Sequence, residues 1–426
     1  MKRLLQVIFL AIIVDFYFFP VKFTFIPSSI NSKMLVAAFG LIAFVYKCIR
    51  EKTIYLSRRT LVAAILAIAF SIWCYFSAIA NKTSDMIYVS YWSTFATWMG
   101  GAYGVYVIMK FIEEKANLAC ISKYLLIVCV AQCIIALLID NIPAFDRLVS
   151  MVFAQATDFY KKNDRLYGIG CALDPAGVRF AAVLVLVSYQ MVHNVDVTGK
   201  VSTLAKYLVG FIILTVVGSM IARTTSVGAL MAIVYIIFMN AAVKRGGYIN
   251  KRQIWFFALF IGLVLGGIAL GTSLYNSSPE ARKLFRFGFE SFFNWVETGE
   301  FRSNSTDILM NVMWRWPDNF HDWMIGNGRF GVFEWGTDIG YCNFILYCGL
   351  IGFSIFAAYF IFVSLSLNTK FKDFYLLSLL LITLQAIIWA KVTTDIFLLF
   401  ALLLCVDGDD MTKDLEKKQE NCSISE

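Results

Sequence analysis

The sequence predicts an all-α polytopic membrane protein with about 12 transmembrane helices, and three observations carry that prediction. Of its 426 residues, 59% are hydrophobic and only 15% are charged. A soluble chain of this size carries about a quarter charged residues. The mean hydropathy is +0.71. Apolar runs of roughly 16 to 24 residues recur along nearly the whole length, each long enough to cross a hydrocarbon core about 30 Å thick. A segment isolated in lipid must satisfy its own backbone groups, so these runs are expected as helices.

The spans read, in order, as residues 4–19, 34–49, 61–80, 87–109, 119–139, 174–193, 203–221, 225–243, 254–273, 341–364, 374–389 and 392–406. The first follows Met1-Lys2-Arg3 directly and shows no small-residue cleavage site, so it is expected to stay as an anchor. Only the short turn 391–395 separates the last two. One set of short connections holds Lys47, Arg50, Lys52, Arg58 and Arg59; Lys110, Lys115 and Lys123; Lys200 and Lys206; Lys244, Arg245, Lys251 and Arg252; and Lys370 and Lys372. The opposite set holds only Lys22, Lys33, Lys82, Arg223 and Lys391. That bias places both termini in the cytoplasm. The organisation is then nine spans over 1–273, an outer loop over 274–340, three spans over 341–406 and a solvated, disordered cytoplasmic tail over 407–426. A second long outer connection runs over 140–171. Long loops without a function of their own are uncommon.

Composition also excludes some classes. The net charge of +8 comes from 37 basic and 29 acidic residues. It is spread over short loops as topology requires and does not imply nucleic acid. The ten cysteines show no CxxC pairing, mostly sit in apolar segments, and read as small packers. With only two histidines, no metal site and no cofactor are expected. No internal repeat is evident, so an inverted-repeat transporter gains no support.

Within 274–340, Ser278-Pro279-Glu280 reads as a helix start, with a cap followed by Pro at the first helical position. The stretch 305–316 is partly amphipathic, with Asp307 in its first turn. Short helices at the outer membrane face are expected, with aromatics at headgroup depth. The aromatics Phe289, Phe292, Phe293, Trp295, Trp314, Trp316 and Trp323 read as sugar-stacking or lipid-contacting groups, with lipid contact favoured.

Three outer segments carry polar groups where a membrane disfavours them. In "NDRLYGIGCALDPAGVRFAAV" (163–183), Asp174-Pro175 reads as N-cap and first residue of the sixth span. Arg179 then lies in the second turn, a costly depth that points to substrate binding, the alternative being a snorkelling side chain or a pair with Asp174. Arg165 lies just outside, before a "GIG" turn. In "GSMIARTTSVGAL" (218–230), Arg223 sits in a tight outer turn against the usual charge bias. Thr224, Thr225 and Ser226 follow it at a helix N-terminus suited to an anion. In "GNGRFGVFEWGTDIGYCNFILYCGLIGF" (326–353), Arg329, Glu334 and Asp338 crowd the lip of the tenth span, with Tyr341 at its start. Asp338 also makes a sensible N-cap. His321, in "NFHDW", is a second candidate base. Arginines on separate outer loops suit a diphosphate, and a nearby carboxylate can accept a hydroxyl proton. Together they meet the needs of glycosyl transfer from a polyprenyl diphosphate, with arginine stabilising the leaving group in place of a metal.

At these residues the chain resembles the O-antigen polymerase (Wzy-type) family, in the superfamily that includes the O-antigen ligases. The resemblance rests on the span count and termini, and on the long outer loop before the tenth span. It also rests on Arg-x-x-Gly then Pro at Arg165, Gly168 and Pro175, and on Arg-x-x-Ser-x-Gly at Arg223, Ser226 and Gly228. The most specific match is "TDIGYCNFILYCGLIGF", similar to the polymerases' Asp-x-Gly-Tyr-x-Asn segment. The resemblance implies a bacterial inner-membrane enzyme with a periplasmic active site. It would transfer a glycan on undecaprenyl diphosphate to the non-reducing end of a lipid-linked repeat unit, with inversion. Arg165, Arg223 and Asp338 would be catalytic, and Arg179, Thr225, His321, Arg329 and Tyr341 would bind substrate. A chain-length regulator and a flippase are the implied partners. An acid at position 338, where the ligases carry His, favours polymerase over ligase. A flippase or other transporter would not need an outer loop of this length.

Overall fold

The structure, a computed structural model, describes residues 2–54, 56–162, 165–242, 262, 266, 269, 271–273 and 275–408. The described helices run in chain order as α1 (Lys2–Phe18), α2 (Ser32–Glu51), α3 (Arg58–Ala80), α4 (Tyr91–Glu113), α5 (Leu118–Asn141), α6 (Pro143–Val152), α7 (Thr157–Lys162) and α8 (Leu173–His193). They continue as α9 (Val195–Thr198), α10 (Val201–Ile221), α11 (Thr224–Ala242), α12 (Pro279–Gly288), α13 (Glu290–Thr298) and α14 (Asn304–Val312). The last are α15 (Phe320–Met324), α16 (Val332–Trp335), α17 (Gly340–Ser366), α18 (Tyr375–Trp389) and α19 (Phe397–Cys405). Among the described residues one sheet is present, the antiparallel pair β1 (Lys22–Phe23) and β2 (Phe153–Ala154). Among the described residues, six helices are long and apolar enough to cross a bilayer. The protein is therefore an all-α multi-pass membrane protein. Most of the predicted ninth span, 254–273, and of the tail, 407–426, lies outside the described residues.

The chain divides into two compact units, one built from 1–10, 33–121 and 304–426, the other from 11–32 and 122–303. The stretch expected as a single loop, 274–340, is shared between them. In the second unit, α8 is the central helix. Nearly every side chain from Ala176 to Met191 is buried, and α10 and α11 pack against it. A helix apolar on all sides is what a buried position requires. Ser278 caps α12 as its sequence predicts, accepting a bond from the Ala281 N–H at 3.2 Å. The start of α8 differs from its sequence reading. Asp174 is not the cap; the helix begins two residues earlier, at Leu173, with Ala172 at the cap position. The Asp174 carboxylate is instead drawn to the Thr224 hydroxyl, at 3.3 Å.

In the first unit, α17 packs on α3 and α18, and α19 packs on α4. Large apolar side chains such as Ile65, Ile68, Ile72 and Ile79 stay exposed along α3, as a lipid-facing surface demands. The predicted tenth span is a broken helix. Gly349 adopts φ 67° and ψ 179° in the middle of α17. The break releases carbonyls that helical geometry would have used, and each finds another donor. Asn327 N–H donates to the Leu346 carbonyl at 2.8 Å, and Gly328 N–H to that of Tyr347 at 3.0 Å. The Ser77 hydroxyl also reaches the Tyr347 carbonyl at 2.9 Å, and the Trp73 indole reaches that of Cys348 at 2.8 Å. Irregular backbone at membrane depth persists only where it is covered in this way. The cover needs two glycines face to face. A side chain at Gly349 would overlap the Met324 carbonyl, and one at Gly326 would overlap that of Tyr347.

Lys370, read as a loop cation, is buried instead. Its ammonium donates to the carbonyls of Leu403 at 2.8 Å and Leu404 at 2.7 Å, near the end of α19. A cation suits a helix C-terminus, although burial lowers its pKa to about 8.

Gly349→Ala is expected to cost about 2 kcal/mol or more, since it adds both positive-φ strain and a backbone clash. Gly336 also has positive φ but faces open space. Gly336→Ala is expected to cost about 1 kcal/mol or less. Unfolding midpoints in detergent should rank wild type, then Gly336→Ala, then Gly349→Ala.

Candidate functional site

Arg223 occupies a turn of two residues between α10 and α11. The turn is closed by Ala222 N–H to the Gly218 carbonyl at 2.8 Å and Ser226 N–H to the Arg223 carbonyl at 3.0 Å. The Thr225 hydroxyl is buried and donates to the Gly218 carbonyl at 3.0 Å. Thr225 thus serves the turn rather than an open anion site. With the turn held, the Arg223 side chain extends over α12. Its Nε donates to the Phe287 carbonyl at 2.9 Å, and its guanidinium lies 4.5 Å from the Phe287 ring centroid. Its terminal nitrogen pairs with Glu290 at 2.6 Å.

Arg165 meets the same ring, with its guanidinium 5.4 Å from the Phe287 centroid. Two arginines separated by 58 positions in the chain thus share one aromatic group (223 − 165). Burial lowers the pKa of Arg223 from its ordinary value; Glu290 opposes the shift, and the Arg165 charge adds to it. An arginine remains charged under such a shift. The pair therefore concentrates positive charge, with two planar forks beside one ring. Phe287 and Glu290 carry no signal in the sequence that separates them from the other aromatics and acids of 274–340.

Arg179 sits in the second turn of α8. Its guanidinium is 5.6 Å from the Phe19 ring centroid, and it lines a cavity of about 360 Å³ together with Lys22, Gln155 and Tyr160.

The other candidates belong to the first unit. Asp338 is exposed and lies two residues before the start of α17. It does not cap that helix. Ile339 holds the cap position, and the Ile339 N–H goes to the Thr337 hydroxyl at 3.1 Å. Asn343 fixes the approach to α17. Its amide donates to the carbonyls of Thr337 at 2.8 Å and Ile339 at 3.2 Å, and its oxygen accepts the Gly331 N–H at 3.3 Å. Asn343 stands in the motif quoted above, and its burial gives it a positioning role that the spacing alone did not reveal.

Arg329 pairs with Glu334 at 2.7 Å and remains largely exposed. The residues on either side of it are stitched to the segment after α3: Asn81 donates to the Gly326 carbonyl at 2.9 Å, Thr83 to that of Gly328 at 2.8 Å, and Phe330 N–H to Asp85 at 2.9 Å. The Tyr341 hydroxyl donates to the Ala386 carbonyl at 2.8 Å while its ring packs on Phe353 and Trp389. That geometry fastens α17 to α18. His321 is exposed on α15, 3.1 Å from Asp322. The rings of Trp314, Trp316 and Trp323 stack in series, with centroids 5.4 and 5.6 Å apart.

Among the described residues, no group of three or more His, Cys, Asp or Glu is placed to hold a metal ion. No family model, no curated protein and no solved structure matches the chain.

Glu290 occupies the Arg223 position that an anion would take. Glu290→Gln is therefore expected to strengthen pyrophosphate binding to the purified protein about tenfold, the scale of one charge-assisted hydrogen bond. Calorimetric titration checks this, and unchanged affinity would remove Arg223 from anion binding.

Proposed function

We propose that this protein is a membrane glycosyltransferase that polymerises lipid-linked repeat units of a bacterial surface polysaccharide. The observation that carries the reading is the convergence of Arg165 and Arg223 on Phe287. Two guanidiniums gathered at one ring suit a diphosphate, which presents oxygens on both phosphorus atoms. In this reading, the chain crosses the inner membrane twelve times with both termini in the cytoplasm, and the arginines face the periplasm. The resemblance to the O-antigen polymerases rests in part on the same two arginines, and besides them on the segment 337–353.

The reaction is a single displacement. A base, the role the resemblance gives to Asp338, takes the proton from an acceptor hydroxyl at the non-reducing end of one lipid-linked repeat. The hydroxyl oxygen then bonds to the anomeric carbon of the donor glycan as the bond from that carbon to the diphosphate oxygen breaks. Undecaprenyl diphosphate departs with the electron pair, and its growing negative charge is met by Arg165 and Arg223. The anomeric configuration inverts. Entry of the diphosphate displaces Glu290 from Arg223, so binding exchanges one charge-assisted contact for another. Arg179 and Arg329 contact substrate away from the bond being broken. A chain-length regulator and a flippase are the expected partners.

Arg223→Ala in the native host is expected to leave a single repeat unit where the wild type gives a ladder on a glycan gel, at equal membrane abundance. Arg223→Lys should restore short chains only, because an ammonium is a point charge without the fork. Asp338→Asn should also abolish the ladder. A full ladder from Arg223→Ala would make that residue a lipid contact. Loss of even the single outward-facing repeat would indicate transport.

A further inference from the structure

We propose that the cavity beside the start of α8 binds an oxyanion, carboxylate or phosphate, carried on a group of monosaccharide size. The cavity measures about 360 Å³, near the lower end of the range for small-ligand pockets. Two cations from distant parts of the chain line it: Lys22 on β1 and Arg179 in the second turn of α8. No acidic side chain lines it among the described residues. The pairing of β1 with β2 sets this wall, with Lys22 opposite Ala154 and Gln155 following directly.

Gln155 gives an independent reason to expect a ligand. Its side-chain oxygen accepts the Gly170 N–H at 2.9 Å, which fixes the amide plane. Its Nε2 is buried and has no hydrogen-bond partner. A buried amide donor is costly to leave unmade, and this one belongs to a residue lining the cavity. An oxyanion satisfies it. The same anion takes the Arg179 fork and the Lys22 ammonium. The remaining wall suits a sugar ring: Leu173 and Pro175 offer apolar surface, and Tyr160 offers a ring with a hydroxyl.

The inference does not require the polymerase reading, although an acidic sugar of a repeat unit is an occupant of the right chemistry. Its test is equilibrium binding to the detergent-purified full-length chain, with no turnover. Saturation-transfer NMR titrations would compare glucuronate and glucose 6-phosphate with glucose, acetate and inorganic phosphate. At least one acidic sugar is expected to bind roughly tenfold or more tightly than glucose and than the matching free anion. Preference for glucuronate assigns a carboxylate; preference for glucose 6-phosphate assigns a phosphate. Gln155→Glu keeps the acceptor for Gly170 and places a negative charge where the amide donor stood, so it is expected to erase the preference. Lys22→Ala, at an exposed position, should weaken binding roughly two- to fivefold. Acidic sugars binding no better than glucose would overturn the proposal. So would free anions binding as well as acidic sugars, or an unchanged preference in Gln155→Glu.

Discussion

The break in α17 at Gly349 is the constraint from which the first unit is organised. A transmembrane helix normally closes every backbone hydrogen bond internally. Here the carbonyls of Leu346, Tyr347 and Cys348 are turned over to donors from elsewhere: Asn327, Gly328, Ser77 and Trp73. Each unmet carbonyl in lipid costs several kcal/mol, so the segment 324–328 cannot leave without a large penalty. The close approach that permits this is backbone against backbone, with Gly349 facing Met324 and Gly326 facing Tyr347. A side chain at either position would force the two strands of chain apart.

That constraint determines where chemistry can be displayed. Because 326–330 is fastened to α17 and to the segment after α3, Arg329 and Asp338 emerge from a held loop rather than a loose one. Asn343 closes the same loop from the other end. The second unit uses a different device. A two-residue turn, locked by the Thr225 hydroxyl, projects Arg223 toward α12, where Phe287 gathers it with Arg165. In both units a charged side chain that would be costly in a bilayer is supported by backbone closure nearby. That cost is the reason to connect these residues with substrate.

Much of the architecture was legible because apolar run length reports directly on helices in lipid. Helices α3, α5, α8 and α10 fall within a few residues of their predicted ranges. The break in α17 was not legible. "YCGLIGF" reads as continuous apolar sequence, and nothing local distinguishes a packing glycine from one at positive φ. What requires the break is a partner some twenty residues away, at Asn327 and Gly328, and single-sequence periodicity carries no record of it. Asp174 misled for a related reason: an Asp before Pro is a sound cap locally, but Thr224, fifty positions on, competes for the carboxylate. Among the candidate site residues, Arg165, Arg179 and Arg223 were visible as charges out of place. Phe287, Glu290 and Gln155 were not, since an aromatic, an acid and an amide in outer loops are unremarkable until tertiary contacts select them. Thr225 and Tyr341 carried polar groups that the structure commits to the turn and to the α17–α18 contact.

The central claim is that the chain itself joins glycans, and reconstitution tests it most directly. The purified protein alone would be placed in liposomes with the host's undecaprenyl-diphosphate-linked repeat unit, and the lipid fraction followed by mass spectrometry. The account predicts lipid-linked oligomers of increasing length, with one undecaprenyl diphosphate released per repeat joined. A repeat unit that crosses the bilayer yet remains single, with no undecaprenyl diphosphate released, would contradict it.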